Sequence, residues 1–358
     1  MIEWGDVYKV VVAMTPLYVA LFLGYGSVKW WHLFTPEQCD AINRLACYFT
    51  LPLFTFDFTS HVDPFAMNYP FIGADVISKC IIVLVIAFWA KCSSKGSYVW
   101  SITSCSLSTL SNTLILGVPL LQAMYGQMGE DLVLQSSVLQ SIVWLTILLF
   151  VLEFRRTGAD FASNTTTRDS IDLSGEPGKD LEGDEHIVVS STRPSFWHLM
   201  KVVWKKLVKN PNLYACVLGL AWAFPSRRWH LKMPNIIEGS ILIMSKAGTG
   251  TAMFSLGLFM ALQKKVIACG ASLTVFGMVL RFVAGPLAMA IGAIIVGLRG
   301  DVLKVAIIQA ALPQSVSSFI FAKEYGLHAE VISTAVIFGT MVSLPVLIAY
   351  FAVLELLP

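Results

Sequence analysis

Long apolar segments are the feature of this sequence that most restricts its fold. A helix needs about 20 residues to cross the hydrocarbon core of a bilayer, and many of the segments reach that length. The runs are continuous, whereas barrel strands alternate over about ten residues, so a helical bundle is favoured over a barrel. We therefore predict an all-α polytopic membrane protein with ten transmembrane helices. The predicted spans are 7–28, 38–60, 70–90, 98–121, 132–154, 211–225, 236–262, 266–297, 302–322 and 330–356.

Composition narrows the function class. Apolar residues make up 56% of the chain and charged residues only 13%, against about a quarter in soluble domains. A water-soluble enzyme is therefore excluded. The net charge of +2 is too small to predict nucleic acid as a partner. No CxxC or HExxH motif occurs, and most of the seven cysteines lie in apolar runs, so we predict no cofactor and no metal site.

One polar segment divides the chain. Residues 155–195 are rich in Gly, Ser, Asp and Glu and cannot bury enough apolar surface to fold alone. We predict a first five-helix repeat over 1–154, a short hydrophilic loop over 155–195, and a second five-helix repeat over 196–358. Basic residues of the first half fall mostly on the side of this loop, which places the loop in the cytosol.

The two halves resemble each other in sequence. The matches are separated by 196 to 202 residues, and the offset drifts in one direction, as small insertions in one copy would produce. Five spans per copy is an odd number, so the second copy is expected to insert upside down, which is the construction of many secondary transporters. The matched pairs are Leu17-Tyr18 with Leu213-Tyr214, Trp31-His32-Leu33 with Trp229-His230-Leu231, Tyr125-Gly126 with Tyr325-Gly326, and Leu152-Glu153 with Leu354-Glu355.

The fourth and ninth spans are interrupted at corresponding places. The fourth contains Asn112, Gly117 and Pro119, and the ninth contains Pro313 followed by a polar pair. Proline removes a backbone donor, and such an opening is tolerated in lipid only against protein or a wet cavity. We expect two broken helices that cross in the membrane and direct half-helix N-termini at one point. That arrangement suits a small anion, especially a carboxylate.

Asp75 and Lys79 are charged residues inside the third span. They stand four residues apart on one helix face, and leaving either alone in hydrocarbon costs several kcal/mol. We expect an ion pair, with a polar neighbour such as Gln140 of the fifth span. Two interpretations stay open, namely a polar support site or proton-sensitive element that moves with the substrate, and a static structural pair. The sequence does not rank the roles of Lys246 and Arg281, which could anchor helices or line a cavity.

Six runs carry a resemblance to a known family: DVYKVVVAMTPLYVALFLGYGSVKWW, NTLILGVPLLQAMYG, NPNLY, AGTGTAMFSLGLFMAL, GLRGDVLKVAIIQAALPQS and FAKEYGLHAEVISTAVIFG. They are similar to the PIN-FORMED auxin efflux carriers of plants, and the similarity covers nearly the whole chain outside 155–195. The resemblance implies two inverted five-helix repeats with broken crossover helices 4 and 9. It also implies a scaffold domain, a moving transport domain, a homodimer in membrane lipid, and elevator-type movement of the indole-3-acetate anion out of the cytosol.

The resemblance also assigns residues. It implies that Asn112 and Asn212 bind the carboxylate, and that Leu51, Leu114 and Val316 form the apolar wall of the pocket. It also implies that Pro119 and Pro313 are the crossover prolines, and that Asp75, Lys79 and Gln140 form a support site.

The short loop is a departure from the long-looped members of that family. It resembles the short-looped members, which implies the endoplasmic-reticulum membrane, with the plasma membrane as the alternative. The expected function is transfer of auxin from cytosol to reticulum lumen for auxin homeostasis, by uniport of the anion. Two alternatives stay open: a sodium-coupled organic-anion symporter, for which Asn112 and Gln314 offer few oxygens, and a membrane receptor that binds auxin without moving it.

Overall fold

The computed structural model describes residues 4–92, 97–156, 196–263, 267 and 269–356, and these residues form a helical protein. Among them we find no β-strand, only one isolated backbone bridge. The helices are α1 (Trp4–Lys29), α2 (Pro36–Leu45), α3 (Leu51–His61), α4 (Tyr69–Cys92), α5 (Tyr98–Thr109), α6 (Val118–Leu139), α7 (145–156), α8 (Phe196–Val208), α9 (Pro211–Trp229), α10 (Asn235–Leu262), α11 (Ala271–Val279), α12 (Gly285–Val296), α13 (Gly300–Ala310), α14 (Val316–Glu324) and α15 (Ala329–Glu355).

Four π-helical turns interrupt this series. They are Ala46–Thr50, Thr113–Gly117, Gln140–Trp144 and Leu280–Ala284. A π-turn accommodates one extra residue in a helix and is frequent at functional sites. Two of the turns contain residues that the sequence assigned to the site, Leu114 and Gln140, and Leu51 directly follows a third.

The prediction of a multi-pass helical membrane protein is confirmed. Six helical stretches of the described chain are long and apolar enough to cross a membrane: Val7–Lys29, Tyr69–Cys92, Thr113–Arg156, Asn235–Leu262, Ala271–Val296 and Ala329–Glu355. The predicted fourth and ninth spans do not satisfy that length because α5 ends at Thr109 and α13 at Ala310. The total of ten spans stays a prediction.

The chain separates into two compact units. One comprises 1–142 and 211–358, and the other comprises 143–210. The smaller unit contains α7 and α8, and α8 is an amphipathic helix that places Trp197 and Trp204 at its exposed surface and buries Val203. Most of the predicted loop, 157–195, lies outside the described residues.

The larger unit contains two groups of helices. In the first group, α1 lies along α10, and α3 packs on both α9 and α10. Backbones approach closely there, because Gly257 of α10 lies against the carbonyl group of Leu21, where a Cβ atom would not fit. In the second group, α4 packs on α12, α13 packs on α6 and α12, and α14 and α11 pack on α15. The groups meet where α1 contacts α6 and α15.

Two pairs of residues have positive φ angles, one pair in loops and one pair formed by Gly126, at a kink inside α6, and Gly326. His32 and His230 have φ angles of 51° and 53°, in the left-handed region that non-glycine residues rarely adopt. Gly126 and Gly326 have φ angles of 62° and 61°. Both pairs fall at positions that the comparison of the sequence halves had matched.

Candidate functional site

Two helix interruptions meet inside the larger unit. Residues 110–112 follow α5 and residues 313–315 follow α13 as short extended stretches, which together we call the crossing. The N–H group of Asn112 donates to the carbonyl oxygen of Pro313 at 2.8 Å, and the N–H group of Ser315 donates to that of Leu110 at 3.1 Å. These bonds pair some of the backbone N–H and carbonyl groups that have no helical partner at the breaks. Such pairing is needed because the membrane interior offers no water to replace it.

Side-chain amides satisfy further backbone groups of the crossing. Gln140 donates from Nε2 to the carbonyl oxygen of Ser111 at 2.7 Å, and its Oε1 accepts from the N–H group of Ser111 at 3.2 Å. Gln314 donates to the carbonyl oxygen of Ser106 at 3.1 Å, near the end of α5. Both glutamines are buried, so these bonds fix the extended conformation without water.

A new helical segment begins directly after each half of the crossing. The π-turn Thr113–Gly117 follows Asn112, and α14 begins at Val316. Free N–H groups and a positive dipole end at such starts favour an anion. The side-chain amide of Asn112 makes no hydrogen bond with any described residue, so it remains available to a ligand. Leu114 and Val316 stand beside these starts and are partly buried.

Asn212 and Leu51 belong to the first group of helices. Asn212 lies at the start of α9, and its Oδ1 accepts a hydrogen bond from the hydroxyl group of Thr55 in α3. Leu51 begins α3 and is partly buried. No hydrogen bond joins Asn112 to Asn212 in the described part of the chain. The structure therefore places the two asparagines on different helix groups.

The two prolines differ in position. Pro313 lies in the crossing itself and is buried. Pro119, in contrast, lies in the first turn of α6 with helical residues before and after it. The fourth span is thus interrupted at 110–112, before Pro119.

Asp75 and Lys79 form the expected ion pair. Lys79 Nζ lies 2.8 Å from Asp75 Oδ2, and the side chains are 7% and 4% exposed. The pair lines a cavity of about 20 Å³, enough for about one water molecule, which also touches Ser111 and Gln309. Gln140 does not complete this pair as the sequence suggested. Its amide binds the backbone of Ser111 instead, where two otherwise unpaired groups needed it.

Arg281 is the site residue that the sequence left unranked. It lies in the π-turn Leu280–Ala284 and is fully buried. Its guanidinium donates to the carbonyl oxygens of Leu312 at 2.5 Å, Ala310 at 2.8 Å and Leu107 at 3.3 Å, and to the hydroxyl group of Ser111 at 2.6 Å. No signal in the sequence could have found this role, because the partners come from segments up to 174 residues away.

The Asp75–Lys79 pair should stabilise the protein only as a pair. We expect Lys79→Met to lower the free energy of unfolding by about 3–5 kcal/mol, because it leaves a buried carboxylate without its counter-charge. The double variant Asp75→Leu with Lys79→Met should recover most of that loss. Thermal unfolding in detergent, followed by size-exclusion fluorescence, measures the difference. Arg44→Met is the matched control, since Arg44 pairs with Asp40 at the same spacing in an exposed position and should have no effect. A double variant as unstable as the single one would contradict the pairing.

The fold and the crossing define the class of this protein. Interrupted helices that meet inside a multi-pass bundle, with backbone groups and a polar side chain directed at the break, are the construction of a membrane transporter. The family model described as "Membrane transport protein" matches residues 9–351, and the chain belongs to this family. It is therefore a transport protein and not an enzyme.

Named relatives place the chain more closely. It is 68% identical to auxin efflux carrier component 5 of Arabidopsis thaliana over 356 residues, which cover 99% of both proteins. It is 58% identical to probable auxin efflux carrier component 5a of Oryza sativa subsp. japonica, over the full length of both. It is 41% identical to auxin efflux carrier component 8 of Arabidopsis thaliana, covering 99% of this chain and 100% of that protein. The predicted resemblance to the PIN-FORMED carriers is confirmed.

Proposed function

We propose that this protein is a carrier of auxin, in the form of the indole-3-acetate anion, from the cytosol to the lumen of the endoplasmic reticulum. The observation that carries the proposal is the crossing, where two helix starts and the unpartnered amide of Asn112 meet. The names of the relatives support auxin as the substrate.

The chemistry of the substrate fits this site. A carboxylic acid of ordinary acidity is ionised at neutral pH, so its charge opposes free diffusion through lipid and a protein path is needed. Asn112, and Asn212 from the facing group, would donate to the carboxylate. Leu51, Leu114 and Val316 would contact the indole ring, since they are apolar and none is fully buried.

Inverted repeats and an elevator movement form part of the proposal. Exchanging the halves turns the first predicted span into the sixth and the second into the seventh. That exchange converts the packing of α1 on α10 into the packing of α9 on α3, and both occur. The paired left-handed residues support the same relation. The first helix group would serve as scaffold, and the second, which contains the crossing, would move with the substrate.

Uniport is favoured over sodium coupling by the charges around the crossing. Lys79 and Arg281 are both buried beside it, and fixed cations oppose a sodium ion at the same place. The buried oxygens Oε1 of Gln309 and Gln314, which have no partner among the described residues, are the feature that favours the symporter.

Uptake into liposomes tests the proposal. Purified protein should accumulate radiolabelled indole-3-acetate along its gradient at the same rate with sodium or potassium outside. Empty liposomes give the background. Uptake that requires a sodium gradient would select the symporter, and binding without uptake or counterflow would select the receptor. Either result would contradict an auxin uniporter.

Location and assembly are proposed from the resemblance of the short loop and of the chain as a whole. We expect a fluorescent fusion of the full chain to colocalise with a reticulum marker, and the purified protein to have twice the mass of one chain. A signal confined to the plasma membrane would contradict the proposed direction into the lumen.

A further inference from the structure

Four helix ends meet at the crossing, and their charges oppose each other. α5 and α13 end there, and each C-terminal end carries about half a negative charge on its free carbonyl groups. The two segments that begin at Thr113 and Val316 present about half a positive charge each. At a distance of a few ångströms, the electrostatic potentials of the two negative and two positive ends would nearly cancel. The crossing of two broken helices therefore does not by itself select an anion.

Three of the four hydrogen bonds of the Arg281 guanidinium go to carbonyl oxygens at or just beyond the negative helix ends. Ala310 is the last residue of α13, Leu312 follows it by two residues, and Leu107 lies in the last turn of α5. The fourth bond, to the hydroxyl group of Ser111, reaches the residue beside Asn112. Arg281 thus binds both interrupted helices, and three of its four bonds lie on the side where their free carbonyl groups accumulate.

No carboxylate compensates this charge in the described part of the chain. All hydrogen bonds of Arg281 go to neutral oxygens, and Asp75, the carboxylate that lines the small cavity at Ser111 and Ala310, is paired with Lys79. An arginine side chain stays protonated in proteins. The surroundings of the crossing therefore hold one positive charge more than negative charges, in a medium of low dielectric constant.

We propose that Arg281 makes the crossing selective for anions. Its charge offsets the carbonyl ends of α5 and α13 and leaves the N–H ends after Asn112 and Ser315 as the dominant field at the site. Arg281 is thus a positioning and specificity residue that acts through the crossing, without touching the substrate. The inference rests on the proposed function and extends it, because it states why the carrier takes a carboxylate instead of a neutral indole or a cation.

Paired ligands that differ only in charge test this inference. We would measure binding of indole-3-acetate and indole-3-acetamide to the purified full chain, together with phenylacetate and benzoate and their amides. A unit charge about 10 Å away at an effective dielectric constant of 20 changes affinity by about tenfold or more. The wild type should therefore prefer each acid anion to its amide by at least about tenfold. Arg281→Gln should reduce that ratio to about one, while Arg281→Lys, which keeps the charge, should retain most of it.

A second pair of variants leaves Arg281 in place. Ser111→Asp puts a carboxylate next to the guanidinium and neutralises it, whereas Ser111→Asn has the same size without the charge. We expect the Asp variant to lose the preference for the anion and the Asn variant to keep it, whatever happens to absolute affinity. This comparison remains available where Arg281→Gln does not fold.

The outcomes distinguish failure of the proposed function from failure of the role proposed for Arg281. A wild type that binds phenylacetate or benzoate but no indole-3-acetate would reject auxin as the substrate and leave the charge comparison valid on the other pairs. An unchanged ratio in Arg281→Gln or in Ser111→Asp would overturn the role of Arg281. Equal loss of the ratio in Arg281→Lys and Arg281→Gln would also overturn this role, because it would indicate a structural function of the side chain. A wild type that prefers no anion to its amide would overturn it as well.

Discussion

Asn112→Ala is expected to reduce uptake of indole-3-acetate by about 10-fold to 100-fold while the protein stays folded. The amide of Asn112 has no hydrogen-bond partner among the described residues and stands between the extended stretch and the helical segment that begins at Thr113. Its removal therefore breaks no hydrogen bond within the described part of the protein. A hydrogen bond to a charged group contributes about 1.5–3 kcal/mol, and each 1.4 kcal/mol corresponds to tenfold in affinity. Initial rates in liposomes, over a range of substrate concentrations, give the change.

Two further alanine variants interpret this result. Asn212→Ala should also impair uptake, but less, because its Oδ1 already accepts from Thr55 in this structure. Asn235→Ala is the control, since Asn235 is an exposed asparagine at the start of α10 with no role assigned in the site. Uptake at the wild-type rate in both Asn112→Ala and Asn212→Ala would remove the site assignment.

Gln140→Leu is expected to lower uptake by at least about tenfold and to lower stability as well. Leucine would leave both the N–H group and the carbonyl group of Ser111 unpaired. Each buried backbone group without a partner costs about 1–3 kcal/mol, and lipid offers no water to replace the bond. The extended stretch 110–112 would then shift, and the amide of Asn112 would move with it.

Measurement of uptake and of the melting temperature on the same preparation checks this prediction. Gln127→Leu serves as the control, because Gln127 lies on α6, the helix that directly precedes Gln140, but is exposed. Gln140→Glu keeps the acceptor for the N–H group of Ser111 and loses the donor, so an intermediate loss is expected. Normal uptake in Gln140→Leu would show that the crossing does not depend on this amide.

The interruptions of the fourth and ninth spans can be predicted from the sequence, because the residue types that cause them are recognisable by their chemistry. Pro313 in an apolar run leaves the backbone without a donor, and Asn112 is a polar residue with no place on a lipid-facing helix. The spacing of Asp75 and Lys79 likewise requires a pair on one face. Features of this kind depend on residues that are close in the sequence, so they can be predicted without knowledge of the fold.

Other features of the site depend on contacts between distant segments. The partner of Gln140 is the backbone of Ser111, which the hydropathy of the fifth span does not reveal. Arg281 could not be ranked because its role depends on carbonyl groups of α5 and α13, and these converge only in the folded protein. A side chain that binds backbone atoms leaves no complementary residue in the sequence to look for.

The exact position of the break in the fourth span could not be predicted from the sequence. Gly117 and Pro119 resemble a helix break, yet both lie in helical backbone. Gly117 is there because Leu312 of the other interruption packs against it, and a Cβ atom would lie 2.7 Å from the Leu312 Cδ1 atom. The break itself falls at residues 110–112, where backbone and side-chain partners replace the helical bonds.

A structure of the protein with indole-3-acetate bound, determined by electron cryomicroscopy in a lipid nanodisc, tests the central claim most directly. We predict that the carboxylate lies within about 3.2 Å of the Asn112 side-chain nitrogen, at the helix starts of the crossing, with the indole ring against Leu114 and Val316. A ligand seated away from residues 110–112 and 313–315, or bound there through its ring with the carboxylate elsewhere, would contradict the account.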